Sequence, residues 1–166
     1  VAGPAGKVWV AAIPDYGMWG GTLAWYDPAT ETFGSHRHVI PDCSPQSLAF
    51  IPEANRIAVG FTIAAGSGTT PRAERAGIVL WDPDADEQVW QGDLGLGIES
   101  VMDLCDAGDG LTCAAVHRTG GGLRTELLLL DLPGERVVSR AAMGGDAVGW
   151  PVEVSLIGDE DFVYGL

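Results

Sequence analysis

Basic side chains are concentrated in two segments of an otherwise strongly acidic chain. The sequence has 9 Lys and Arg residues against 23 Asp and Glu, for a formal charge of −14. Guanidinium groups bind carboxylates and phosphates through paired N–H donors. Such a local concentration predicts an anionic small ligand, for example a uronate or a phosphorylated group. Beside His117, the cationic residues concerned are Arg72, Arg75, Arg118 and Arg124.

The same charges have a second interpretation, in which they are solvated and paired within their loops. Glu74 lies between Arg72 and Arg75, and Glu126 follows Arg124 by two residues. Exposed ion pairs are common in proteins and contribute little to stability. The sequence leaves both interpretations open.

The segment 13–21, IPDYGMWGG, adds hydrogen-bonding and aromatic groups to this chemistry. Asp15 and Tyr16 can accept and donate hydrogen bonds, and Trp19 offers a flat aromatic surface with one polar edge. Loops longer than a hairpin requires tend to carry function. One pocket is therefore predicted to contain Asp15, Tyr16, Arg72, Arg75 and His117.

Metal binding has only weak support in the sequence. His36 and His38 share one face if they lie on a strand. A metal site needs three or four ligands, however, and no spacing of His, Cys or carboxylate residues completes the set. The acidic run 82–87 lacks the glycine and the distal glutamate of an EF-hand loop, so it is interpreted as a turn. Neither a metal nor any other cofactor is predicted.

The three cysteines do not form a disulfide scaffold. Cys105 and Cys113 flank a predicted turn and would face each other across a hairpin. A disulfide and a pair of buried thiols both fit this placement. Cys43 has no evident partner and is predicted to be a buried or linker thiol.

A repeated sequence pattern indicates the elements that position these residues. Apolar runs end in Asp27, Asp82 and Asp131, which are 55 and 49 residues apart, and a proline follows each within two residues. Asp can bond its own backbone two residues on, and proline presets the next φ, so all three aspartates are predicted to open hairpin turns. Alternating apolar residues between the turns predict about thirteen short strands. They group into units over 7–39, 46–92, 100–142 and 152–166.

This repeated pattern resembles the turns of bacterial β-propeller repeat proteins, in the broad superfamily that includes WD-like and kelch-like repeats. Tyr26-Asp27-Pro28 and Trp81-Asp82-Pro83 carry the resemblance, whereas the third copy departs from it with Leu130-Asp131-Leu132-Pro133. The resemblance implies an all-β fold built from blades of four antiparallel strands, with a blade for each period of about 50 residues. A single sandwich is the alternative, and the strand count disfavours it.

About three blades are too few for a closed ring, which usually takes four to eight. A single partial propeller domain over 1–166 is therefore expected. Its remaining blades would come from a longer chain, of which this is a fragment, or from other copies in a homo-oligomer. Exposed blade faces and strand edges otherwise promote aggregation.

The resemblance includes polysaccharide lyases and sugar-lactone hydrolases, and it implies a propeller that binds or acts on an acidic carbohydrate through its loop face. In such an enzyme, Tyr16 or His117 would transfer the proton. The alternative is a non-enzymatic scaffold that holds another protein. The ligand-binding set comprises Asp15, Trp19, Arg72, Arg75, Arg118 and Arg124.

Composition narrows the partners further. The acidic excess argues against nucleic acid and anionic membrane surfaces. An apolar content of 46% is typical of a globular domain, and no apolar run approaches the roughly 18 residues of a membrane span. A soluble protein is predicted, with its compartment open and secretion among the options.

Overall fold

The fold is all-β, as the sequence predicts. A computed structural model describes residues 1–95, 97–118, 124–142, 156–158 and 163–165. Within these ranges it contains no α-helix, only a short 3₁₀ turn at Pro4–Gly6. The strands are β1 Val8–Ala12, β2 Thr22–Asp27, β3 Thr32–Arg37, β4 Ser44–Ile51, β5 Arg56–Thr62, β6 Gly77–Asp82, β7 Glu87–Asp93, β8 Ile98–Gly108, β9 Leu111–Arg118, β10 Arg124–Asp131, β11 Arg136–Ala142, β12 Leu156–Gly158 and β13 Val163–Gly165.

All strand pairs are antiparallel. One sheet has the order β1-β2-β3, a second has the order β11-β10-β9-β8-β5-β6-β7 with β4 also paired to β5, and β12 pairs with β13. A single pair, Thr62 with Ser100, joins β5 to β8. The large sheet is therefore two consecutive four-stranded meanders, β4–β7 and β8–β11, that meet along one line. It curls into a half-barrel.

The three repeated aspartates open hairpin turns, which confirms the turn prediction. They are the last residues of β2, β6 and β10. The Asp27 carboxylate accepts the Ala29 N–H at 2.9 Å, and the Asp131 carboxylate accepts the Gly134 N–H at 2.8 Å. Asp82 accepts two such backbone bonds. Backbone bonds favour the charged form, so they lower the pKa of Asp27 and Asp82, and the Arg136 side chain followed by the Gly134 N–H lowers the pKa of Asp131.

The core consists of two apolar layers on opposite faces of the meander β4–β7. On one face, Trp9 and Leu23 of the first sheet pack with residues of β5 and β6. On the other face, Ala58 and Ile78 pack with residues of β8, β9 and β10. Strands covered on both faces need near-continuous apolar runs, and β6 reads Gly-Ile-Val-Leu-Trp. Complete burial of one such aliphatic side chain is worth about 1.5–3 kcal/mol.

Candidate functional site

The two long loops that follow β1 and β5 are joined through their backbones. The Gly17 N–H donates to the Ser67 carbonyl at 3.0 Å, and the Gly66 N–H donates to the Met18 carbonyl at 3.0 Å. A side chain at Gly66 would collide with the carbonyl oxygen of Asp15. Glycine therefore permits this close approach, and the two loops meet on one face.

An aromatic and cationic surface forms where these loops meet. The indole N–H of Trp19 donates to the Thr70 carbonyl at 2.9 Å, which fixes the ring. The Arg72 guanidinium carbon lies 3.5 Å from the centroid of that ring. Tyr16 belongs to the same loop as Trp19, has 76% of its surface exposed, and its ring lies against Gly68 of the second loop. We call the surface of Tyr16, Trp19 and Arg72 the loop platform.

Arg72 is exposed, and no carboxylate lies within ion-pair distance of it in the described part of the chain. A guanidinium stacked flat on an indole has its plane fixed but its N–H edge free. The loop platform can therefore receive a carboxylate in a fixed orientation. Asp15 is exposed, and its carboxylate accepts the Tyr16 N–H at 2.7 Å.

A pocket of about 320 Å³ lies next to the loop platform, at the junction of the two meanders. Pro71 forms part of its wall and stands in the chain between Thr70, which holds Trp19, and Arg72. The remaining lining residues come from the ends of β4, β5, β8 and β9: Gln46, Thr62, Ile63, Ala64, Glu99, Ser100, Met102 and His117.

His117 is the most buried titratable group of this pocket, with 4% of its surface exposed. Burial lowers its pKa, and the nearby charge of Glu99 acts in the opposite direction with a smaller effect. The imidazole is therefore neutral at pH 7 and can both accept and donate a hydrogen bond. The Ser100 hydroxyl donates to Gln46 Oε1 at 2.6 Å, so the pocket floor is already ordered.

The position of the pocket follows from the repeat. Thr62 pairs with Ser44 at the end of β5, and His117 pairs with Ser100 at the end of β9. Both serines are buried. A residue at the end of each second strand, the last of β5 and the last but one of β9, therefore faces a buried serine of the first strand, and the pocket opens between the two units.

The remaining predicted site residues lie elsewhere. Arg75 forms an ion pair with Asp93 at 2.7 Å and lines a separate recess of about 240 Å³ with Ile40 and Gly92. The prediction of a pocket shared by Arg75 and His117 is therefore wrong, and so is a pairing of Arg75 with Glu74. The sequence could not show this because Asp93 is brought close by the neighbouring strand β7.

Arg118 does not join the pocket either. Arg118 follows His117 on β9, so it points to the opposite face of the sheet. There its Nε lies 3.9 Å from Glu126 Oε1, as the paired interpretation predicted. Arg140, which the sequence analysis missed, completes this cluster and donates to the Leu94 carbonyl at 2.8 Å. The backbone of Arg124 belongs to β10, and its side chain lies outside the described residues.

The predicted histidine pair and the three cysteines lie outside the pocket and the loop platform. His36 Nε2 lies 2.9 Å from the Asp86 carboxylate. No group of three or more His, Cys, Asp or Glu that could hold a metal is found among the described residues. Cys105 and Cys113 are directly opposite across β8 and β9, are both buried and carry free thiols. Cys43 is buried as predicted, and burial raises its pKa to about 11.

Sequence reasoning missed most of the pocket. Gln46, Glu99, Ser100 and Met102 were not singled out, although a serine recurs near the start of the first strand of both units, at Ser44 and Ser100. That recurring serine was the available signal. Its role became visible only when the strand register placed it opposite Thr62 at the end of β5 and His117 near the end of β9.

No protein-family model matches this sequence, and no curated protein matches it significantly. Within the described residues no helix has the length and apolar character needed to cross a membrane.

Proposed function

We propose that the curled sheet is part of a β-propeller, with β4–β7 and β8–β11 as two complete blades. The burial of β5 and β6 on both faces supports this arrangement. A repeated contact supports it as well: the Ser47 hydroxyl donates to the Val101 carbonyl at 2.9 Å, and the Asp103 carboxylate accepts the Leu156 N–H at 2.6 Å. Ser47 and Asp103 both belong to the first strand of their unit and bond to the first strand of the next.

We propose further that the loop platform binds the carboxylate of an acidic carbohydrate. The observation that carries this proposal is the Arg72 guanidinium stacked on a fixed Trp19 ring with its N–H edge free. Arg75 and Arg118 are paired with carboxylates and are less suited to this role. In a protein of charge −14, an unpaired arginine is a local attractor for anions.

Binding is better supported than catalysis. Tyr16 is largely exposed on the loop platform, whereas His117 is buried in the pocket. A catalytic role would rest on His117, whose lowered pKa suits a general base at neutral pH, with Glu99 beside it.

The test compares two arginine variants. Arg72→Ala removes the stacked guanidinium, and Arg37→Ala removes another exposed positive charge, from β3, as a matched control. Isothermal titration with a uronic-acid oligosaccharide should show a loss of affinity of about 10- to 100-fold for Arg72→Ala, because a charged hydrogen bond is worth about 1.5–3 kcal/mol. The control should change by less than about twofold. Equal losses in both variants would leave only the net charge as the cause and would reject the platform.

A second candidate function, a protein-interaction scaffold, is favoured by the outer face of the first sheet. Val8, Tyr26 and Phe33 lie directly opposite one another across β1, β2 and β3, and all three are exposed, Phe33 by 81%. A contiguous apolar surface of this kind is typical of an interface. We propose that it contacts further blades or another copy. Concentration-dependent sedimentation that Phe33→Asp abolishes would support this function, and a monomer at all concentrations would contradict the contact with another copy.

A further inference from the structure

The hairpin of β8 and β9 carries a pair of facing thiols. Cys105 is directly opposite Cys113, and the residue pairs on both sides of them continue the same register. Residues directly opposite in antiparallel strands have Cα atoms about 4.5–5.5 Å apart. A disulfide takes a Cα separation of about 4.4–6.8 Å. The backbone therefore already holds the two cysteines at a separation that a disulfide bridges.

The two thiols also contact each other. The S–H group of Cys105 donates a hydrogen bond to the sulfur of Cys113, which lowers the pKa of Cys113 and raises the pKa of Cys105. The thiolate is the form of cysteine that attacks a disulfide bond. Cys113 is therefore the better nucleophile of the pair, and Cys105 lies beside it as the second thiol of an exchange reaction.

The pair lies near the end of its hairpin, where local opening costs least. Gly108, Asp109 and Gly110 form the turn between the strands, and all three have positive φ. The cysteines pack with Ala115 and Leu156 in an apolar cluster of their own, apart from the two main layers of the core. Opening of the hairpin end therefore exposes both thiols while those layers stay closed.

Cys43 provides a contrast within the same chain. It is buried in the layer beneath the first sheet, and its thiol donates to the Arg75 carbonyl at 3.6 Å. Burial raises its pKa to about 11, so its thiolate is scarce at neutral pH. We expect Cys43 to remain a thiol under conditions that oxidise the facing pair.

We infer that Cys105 and Cys113 form a reversible redox site, which a small-molecule disulfide closes to a cross-strand disulfide and excess thiol reopens. The Cys113 thiolate attacks one sulfur of the small disulfide, so that a mixed disulfide forms and one small thiolate leaves. Cys105 then loses its proton to water and attacks the Cys113 sulfur, which forms the protein disulfide and releases the second small thiolate. Two protein thiols are oxidised, and one small disulfide is reduced to two thiols.

The experiment exposes the folded protein to oxidised glutathione, with its tryptophan fluorescence followed throughout. Free thiols are then blocked by alkylation, and the disulfide is located by mass spectrometry of proteolytic peptides. The thiol count should fall from three to one, with Cys105 joined to Cys113 and Cys43 alkylated only after unfolding. Excess reduced glutathione should restore all three thiols.

Two variants control the assignment. Cys43→Ser should close the disulfide as the wild-type protein does, whereas Cys105→Ser should stop at a glutathione adduct on Cys113 or not react. Three surviving thiols in the folded wild-type protein, an adduct that never resolves, or a disulfide that includes Cys43 would each overturn the inference. If either variant fails to fold, the peptide map of the folded wild-type protein decides alone.

Discussion

The turn after β6 has the same backbone conformation as the turns after β2 and β10, but its side chains make different contacts. Four residues after each repeated aspartate stands an acidic residue in the left-handed region: Glu31 at φ 55°, Asp86 at φ 54° and Glu135 at φ 56°. Residues other than glycine enter this region at a cost of about 1–2 kcal/mol. The three units therefore carry the same local strain.

Of these three residues, only Asp86 makes side-chain hydrogen bonds from the strained position within the ranges that the structure describes. Its carboxylate accepts the indole N–H of Trp25 at 3.1 Å and that of Trp81 at 3.2 Å, and it lies 2.9 Å from His36 Nε2. Trp25 and His36 belong to the first sheet, and Trp81 belongs to β6. Glu31 and Glu135 are exposed, and neither makes a side-chain hydrogen bond to another described residue. The same turn therefore connects two sheets after β6, whereas after β2 and β10 it only reverses the chain.

The largest expected effect comes from Asp86→Gly. Glycine relieves the strained φ, but three side-chain bonds are lost and the Trp81 N–H remains buried without its acceptor. The free energy of unfolding should fall by about 2–3 kcal/mol, since the loss of a buried partner outweighs the relief. Urea unfolding followed by tryptophan fluorescence measures this. A variant as stable as the wild type would mean that the hydrogen bonds of Asp86 contribute nothing to the free energy of unfolding.

An intermediate effect is expected from acid, which acts on the first aspartate of each turn. The pKa of Asp82 is lowered by the Ala85 and Asp84 N–H groups, so its contribution is present above the unfolded pKa of about 4 and is lost as the pH falls through the lower folded value. Stability should therefore decrease from pH 5 to pH 2. Asp82→Asn should flatten part of this decrease, and Asp86→Asn, which replaces the other carboxylate of the same turn, serves as the comparison. Parallel curves for wild type and Asp82→Asn would contradict the assignment.

The smallest effect, and the opposite sign, is expected for Glu31→Gly and Glu135→Gly. These changes relieve the left-handed strain and remove no side-chain bond, while glycine adds entropy to the unfolded chain. The net result should be stabilisation by about 0.5 kcal/mol, visible as a raised urea midpoint with an unchanged slope. Destabilisation of both variants would show that the glutamates have partners of their own.

Much of the fold was predictable because it depends on local patterns. Alternation in 56–62 and the Asp-Pro turn at Asp82 define β5, β6 and β7 within one or two residues of their observed bounds. The repeat also led to the expectation that the loops after β1 and β5 reach the same edge, because equivalent strand ends do so, but it did not predict the stacking of Arg72 on Trp19. Pairs such as Arg75 with Asp93, or Asp86 with Trp25, could not be predicted, since they depend on how neighbouring strands and sheets approach.

The double-sided burial of β5 and β6 has a consequence for motion. Backbone amides there can exchange with solvent only if both apolar layers open together, whereas those of β1–β3 are released when one layer separates. Hydrogen exchange should therefore be slowest at Val59 and Val79 and faster at Val10 and Ala24, whose sheet is covered on one face only. Local opening would then begin at the first sheet and would move Tyr16 and Trp19, which lie between β1 and β2. Access to these loops would therefore depend on the strands that are least protected from exchange.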